Sequence, residues 1–222
     1  EHAGVQLIYA GSPSSEKERL DLITEAVLEL HEKYDVKLKV IGITREQFLN
    51  IYSWNEEKIT NNKNISFLGR LPHEEVVKQV SSSDYSILIR DKNRANTAGF
   101  PTKFVESISC DTAVLANKNS CISKYFVDGK NGFLISENNI VEDLENVLIR
   151  NQKIKVEKDL FDYRNYTDLL REFMSSVLSP KKKVALHIIM PNQTSGPNTA
   201  NRLIGASYLK GKYDFCFIKQ EM

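Results

Sequence analysis

Short apolar runs alternate with longer stretches in which apolar residues recur every third or fourth position. Val5 to Ala10 (VQLIYA) is closed by the turn cluster Gly11-Ser12-Pro13-Ser14, which marks a first strand. Behind it, Leu20, Ile23, Val27 and Leu30 share one helical face, with Ser15 as the expected cap and Glu16 and Glu18 in an acidic first turn. Val36 to Ile43, Ile65 to Leu71 and Tyr85 to Ile89 read as further strands, with a helix over Pro72 to Ser82. A polar loop, Asp91 to Gly99, leads to Pro101, placed for the first position of a helix that ends near Cys110. Thr112 to Asn117 and Gly132 to Ser136 close the strand series, and Asn138 to Leu178 is helical in pattern. This alternation predicts parallel strands joined by crossover helices. The expected fold is α/β, a doubly wound, Rossmann-like parallel sheet with helices on both faces.

Ser179-Pro180 and the basic run Lys181 to Lys183 break the last helix, so a domain boundary is expected near 180. Residues 1–180 form the sheet domain in this reading. Residues 181–222 form a short βαβ extension, from a strand at Val184 to Met190, a helix at Asn198 to Leu209 and a strand at Tyr213 to Ile218. About 40 residues sit at the lower limit for an independent core, so the extension reads as the opening of another domain or an annex to the first. The chain starts at Glu1 rather than Met and ends just after an apolar segment, which looks like a piece of a longer polypeptide.

Composition narrows the class without naming it. Thirty basic against 29 acidic side chains leave a net charge of +1, which argues against broad nucleic-acid binding. No apolar run approaches the roughly 20 residues of a membrane-spanning helix. Cys110, Cys121 and Cys216 share no metal-ligand spacing, and reduced thiols in a cytosol are the expectation. No GxGxxG follows a strand, Gly205 to Lys212 has Tyr213 where a P-loop needs Ser or Thr, and no GxSxG occurs. His73-Glu74 lacks the second histidine of a zinc hydrolase, so no metal ligands are assigned.

The densest chemical signal is Arg94 to Cys110 (RANTAGFPTKFVESISC), which arrives after a strand, at the edge where doubly wound sheets bind ligands. A helix starting at Pro101 offers free N–H groups and a positive dipole end, Gly99 admits close backbone approach and Thr102 adds a hydroxyl. A diphosphate fits such a site. Lys103 and Glu106 lie three apart, so a cation can meet phosphate while a carboxylate accepts from ribose hydroxyls. An ordinary surface helix pair after an ordinary loop is the alternative reading of the same residues.

Beyond these residues, three segments in order resemble the nucleotide-sugar-binding domain of retaining glycosyltransferases of the two-Rossmann-domain (GT-B) type, family 4. They are YAGSPSSEKERLDLITEAV, NISFLGRLPHEEVVKQVSSSDYSILIR and AGFPTKFVESISCDTAVLANKNSCISKYFVDGKNGFLI. The resemblance covers roughly residues 5 to 178. It implies that Glu106 is the second glutamate of the family's Glu-x7-Glu motif, which holds the ribose. Ala98 stands where the first glutamate belongs, and backbone groups of Gly99 and Phe100 face the sugar. Lys17 resembles the family's phosphate-binding lysine, while the usual Gly-Arg before it is Gly11-Ser12. Arg94 or Lys103 is expected to replace the lost charge, and the turn Gly69-Arg70-Leu71 to seat the base. Lys17 and Arg70 also read as plain surface residues.

The resemblance implies transfer of a sugar from a nucleoside diphosphate sugar to a hydroxyl acceptor with retained configuration, with Lys17 and Lys103 stabilising the leaving phosphate. No metal or cofactor is implied. A UDP-sugar donor is favoured over a GDP-sugar, and the acceptor is a glycan or lipid-linked molecule met through an amino-terminal domain. Polysaccharide or glycoconjugate assembly follows, in the cytoplasm, with peripheral contact at the inner membrane face. The tail VALHIIMPNQTSGPNTANRLIGASYLKGKYDFCFI resembles the start of such an amino-terminal domain, and the isolated chain is expected to bind donor without turnover. The alternative of another class is a non-catalytic nucleotide- or phosphate-binding α/β module, which Ala98 in place of glutamate keeps open. A flavodoxin-like receiver fits less well, since the acidic cluster at the strand ends is missing.

Overall fold

A computed structural model describes residues 4–177, apart from 15–16, 53–56, 58, 60–61 and 119–121. Six strands form one all-parallel sheet in the order β3-β2-β1-β4-β5-β6. They are β1 (Val5–Ala10), β2 (Val36–Ile41), β3 (Ile65–Gly69), β4 (Tyr85–Leu88), β5 (Ala113–Ala116) and β6 (Gly132–Leu134). The helices are α1 (Leu20–Leu30), α2 (Arg45–Tyr52), α3 (His73–Ser81), α4 (Arg94–Ala98), α5 (Thr102–Ser109), α6 (Ile140–Arg150) and α7 (Thr167–Val177). Strand order reverses between β1 and β4, the place where open α/β sheets bind ligands. Those two strands pair only at Leu7 with Tyr85 and Ile8 with Ser86, so they part toward their carboxyl ends.

Alternation along β1 explains how both faces are covered. Leu7 and Tyr9 enter the large core with Leu20, Ile23 and Val27 of α1, and with Phe104 and Ile108 of α5. Ile8 faces the other way, into a small cluster with Ile41 and Val80, against which Val76 of α3 packs. In the middle of the sheet β4 and β5 are buried at every position, as expected of a parallel sheet sandwiched by helices.

Helix boundaries depart from the sequence reading in ways that matter for the site. Helix α1 begins at Leu20, past Lys17 and Glu18, whose N–H groups both donate to the Ser14 carbonyl. Ser15 and Glu16 lie outside the described residues. Pro101 precedes α5, with an extended ψ of 112°. The loop expected over Asp91 to Gly99 contains α4, whose first turn is capped by Asn93 Oδ1 accepting from the Asn96 N–H at 2.8 Å. The helical stretch expected from Asn138 is interrupted: α6 ends at Asn151 in left-handed conformation, and 3-10 turns at Lys158–Phe161 and Tyr163–Tyr166 precede α7.

The chain divides into two compact units, residues 1–162 and 163–222. The first holds the sheet. Of the second, the described part is a 3-10 turn and α7, with Leu169, Leu170, Phe173 and Val177 exposed. The boundary expected near 180 and the βαβ extension at 181–222 fall outside the described residues. Among the described residues no helix is long and apolar enough to cross a membrane.

Candidate functional site

A cleft of about 950 Å³ opens where β1 and β4 part. Its walls come from residues after β1 (Ser14, Lys17, Glu18), the segment after β4 (Arg90, Asp91 and Asn93 to Asn96) and the run Gly99 to Lys103 that opens α5. The thirteen residues singled out from sequence do not all meet there. Lys17, Arg94, Gly99, Phe100, Pro101, Thr102 and Lys103 line the cleft; Gly11, Ser12, Arg70, Leu71, Ala98 and Glu106 do not. Gly11 is nevertheless close by, because a Cβ placed on it would stand 1.9 Å from Lys103 Cε. Strand ends carry the rest: Gly11 N–H donates to Ile41 C=O at 2.9 Å and Gly42 N–H to Gly69 C=O at 2.7 Å. Exposed Arg70 and half-buried Leu71 follow Gly69 along this edge. Glu106 and Ala98 are exposed.

Lys103 does not present a free ammonium. Its Nζ lies 2.5 Å from Glu18 Oε1, with the two side chains 15% and 2% exposed. Tyr9 donates its hydroxyl to the other oxygen, Glu18 Oε2, and the Tyr52 hydroxyl donates to the Glu18 backbone carbonyl at 2.8 Å. The ammonium also sits 5.1 Å from the centre of the Tyr9 ring, a cation–π contact. Burial pulls Lys103 below the ordinary lysine range and the Glu18 charge opposes that fall. Burial likewise pushes Tyr9 well above the ordinary phenol range, with Glu18 adding to it.

Charge accounting then decides what the cleft attracts. Among the described residues four cations border it, Lys17, Arg90, Arg94 and Lys103, and two carboxylates, Glu18 and Asp91. Glu18 is taken by Lys103, and Asp91 faces Arg19 at 3.5 Å. Among the described residues, Lys17, Arg90 and Arg94 make no ion pair, so the cleft keeps a surplus of positive charge. The first N–H groups of α5 add the positive end of a helix dipole. Such an arrangement can hold an anion.

The loop that carries the helix start is fixed from two sides. The Phe100 ring meets Tyr125 edge-on at 5.7 Å, and also Phe104 and Phe161. Asn96, 2% exposed, donates its amide to the Lys17 carbonyl at 3.1 Å and the Asp91 carbonyl at 2.9 Å. Its Oδ1 accepts from Arg90 Nη2 at 2.9 Å. Glu18, Arg90 and Asn96 were not anticipated from sequence. Their signals are faint: a glutamate beside a helix start, an arginine ending the apolar run YSILIR, and an asparagine three residues past another.

Buried phenols make a measurable mark. Burial pushes Tyr85 up to about 12, and Tyr9 and Tyr52 higher still. Unfolded phenols release their protons near pH 10, while these keep theirs, so stability is fully present below pH 10 and falls as pH rises beyond it. In a spectrophotometric titration, Tyr85 ionises near pH 12, and Tyr9 and Tyr52 only with unfolding. Ionisation of all nine tyrosines near pH 10 in the folded chain contradicts this packing.

Known proteins share this fold. A model of the family described as glycosyl transferases group 1 matches residues 5–160. The Anabaena protein HepE, solved with UDP and glucose, superposes with a TM-score of 0.59 at 17% identity, covering 78% of this chain and 48% of HepE. Sucrose-phosphate synthase from Thermosynechococcus elongatus gives 0.60 at 14% identity, covering 78% of this chain and 46% of that one. At such identities the likeness is one of fold. This chain spans about half the length of these structures. No curated protein sequence matches it.

Proposed function

The chain belongs to the glycosyl transferases group 1 family, and from that premise we propose that its sheet unit is the donor-binding half of a retaining glycosyltransferase. The donor is a nucleoside diphosphate sugar, with UDP favoured over GDP. The observation that carries this reading is the unneutralised positive charge of the cleft, set at the strand-order reversal and under the start of α5. HepE, solved with UDP and glucose, supports the choice of nucleotide.

Departure of a nucleoside diphosphate concentrates negative charge on the β-phosphate. Lys17 and Arg94, exposed at the cleft mouth, and the α5 N-terminus stabilise that charge, while Lys103 enters it already coupled to Glu18. No metal or cofactor takes part. Glu106 holds the ribose hydroxyls from the exposed side of α5. The acceptor, a glycan or lipid-linked hydroxyl, and the groups that activate it come from another part of the enzyme. The product is a polysaccharide or glycoconjugate, made in the cytoplasm with peripheral contact at the inner membrane face. Ala98, in the place of a family glutamate, is the observation that favours the second reading, a non-catalytic nucleotide- or phosphate-binding module.

Thermal-shift titration with UDP, GDP, ADP, CMP and pyrophosphate separates the two. A ligand at 100 times its Kd adds about 2.7 kcal/mol, a rise of several degrees in Tm. UDP is expected to raise Tm more than the other ligands, and Glu106→Ala to abolish that preference. Equal shifts for pyrophosphate and every nucleotide, or no shift at all, sink the transferase reading.

A further inference from the structure

We propose that Arg90 is a principal cation of the anion site, a guanidinium that meets no carboxylate among the described residues because its countercharge arrives with the diphosphate of the donor. The proposal rests on the donor-site reading above and deepens it.

Arg90 leaves the end of β4 two residues after Leu88 and is 5% exposed, yet it borders the cleft. Its Nη1 donates to the Gly99 carbonyl at 3.0 Å and toward the Asn96 carbonyl at 3.5 Å, and Nη2 donates to Asn96 Oδ1 at 2.9 Å. All three acceptors are neutral, and the buried Nε has no hydrogen-bond partner. A guanidinium has five N–H donors and stays charged in proteins, so neutral oxygens orient it without cancelling it. Burying such a charge unpaired is costly, and proteins ordinarily answer it with a carboxylate.

The two carboxylates of the described cleft wall are committed elsewhere. Glu18 holds Lys103 and Tyr9, and Asp91, the very next residue, turns to Arg19. Arg90 also presses on its surroundings, since its charge, with that of Lys17, helps hold Lys103 below the ordinary lysine range, after the larger effect of burial. Its acceptors say what it is aimed at. Gly99 and Asn96 belong to the same segment that delivers the α5 N-terminus, so the guanidinium and the helix dipole act on one volume. A dianionic diphosphate is the ligand chemistry that answers both.

Calorimetric titration of the 222-residue chain and of Arg90→Gln and Arg90→Lys, with pyrophosphate, UDP and uridine, tests this. Arg90→Gln is expected to weaken pyrophosphate and UDP by about tenfold or more, as loss of a charge-assisted contact implies, and to leave uridine unchanged. Arg90→Lys, which keeps the charge and loses the fork, retains most of the affinity. Equal losses in both variants, tracking an equal fall in Tm, assign Arg90 a structural role and overturn the proposal. Where Arg90→Gln does not fold, the Nε–Hε resonance of Arg90 in the wild-type chain serves instead: it must move with pyrophosphate, and a stationary signal at saturation overturns the proposal. UDP no better than pyrophosphate, with Arg90 responding, removes the nucleotide reading and leaves Arg90 standing. UDP preferred over pyrophosphate, with Arg90→Gln indifferent, does the reverse, and a wild-type chain that binds neither overturns both.

Discussion

Glu18→Gln will destabilise the chain by about 3 kcal/mol, because it leaves the Lys103 ammonium buried without its countercharge. The glutamine keeps the shape and still accepts from Tyr9, so the loss reads the charge rather than a cavity. Burial already favours the neutral amine at Lys103, and removing Glu18 lowers its affinity for a proton further. The unfolded chain then holds a proton that the folded one has released, so the deficit of Glu18→Gln shrinks as pH rises toward 10. Adding Lys103→Met removes the orphaned charge and should bring stability back to within about 1 kcal/mol of wild type. Urea denaturation of the two single variants and the double variant measures the coupling. A Glu18→Gln variant as stable as wild type at neutral pH means that water already screens the pair.

This coupling has a consequence for ligand binding. Lys103 and Glu18 together contribute no net charge to the cleft, so the surplus that attracts an anion comes from Lys17, Arg90 and Arg94. A lysine named from its place on α5 thus turns out to be half of an internal pair, while an arginine just past the end of β4 keeps its charge. Sequence spacing shows which residues share a helix face; it does not show which of them a distant carboxylate has reached.

The strands were legible because each is an apolar run ended by a turn, and a parallel sheet covered on both faces demands that. Strand β1 spans Val5–Ala10 as read, and the order of strands and helices produced the doubly wound topology. Helix α2 was missed since its sequence, REQFLNIY, buries only Phe48 and so shows little periodicity. Helix α4 has five residues and is set by the Asn93 cap, a local hydrogen bond that hydrophobic patterning does not register. The turn at Glu18 was misread as an acidic first turn of α1. Its inward course depends on Lys103, which is 85 positions away, and on Tyr9 across the core. The place of the cleft was legible for the same reason as the fold, since strand order dictates where an open sheet parts. Its charge balance was not, because that depends on pairings made only when distant segments meet.

Gly42→Ala tests whether the carboxyl edge that frames the cleft is as tightly built as its contacts imply. Gly42 has a φ of +112°, and a Cβ there would stand 1.8 Å from the Gly11 carbonyl oxygen. That obstacle is backbone, and it belongs to the residue against which Lys103 lies. Alanine must therefore either part β1 from β2 or reverse the turn that lets Gly42 N–H reach the Gly69 carbonyl. The expected cost is about 4 kcal/mol or more, the sum of left-handed strain and a steric clash that no rotamer relieves. Gly129→Ala supplies the comparison, because its φ of +75° imposes strain while nothing lies within 4 Å of the added carbon. It should cost about 1 kcal/mol. The difference between the two isolates the close approach of the strand ends. Equal losses mean that β1 and β2 shift to admit the methyl group. In that case the edge is compliant, and the position of Gly11, and with it that of Lys103 and Glu18, is not set by the sheet.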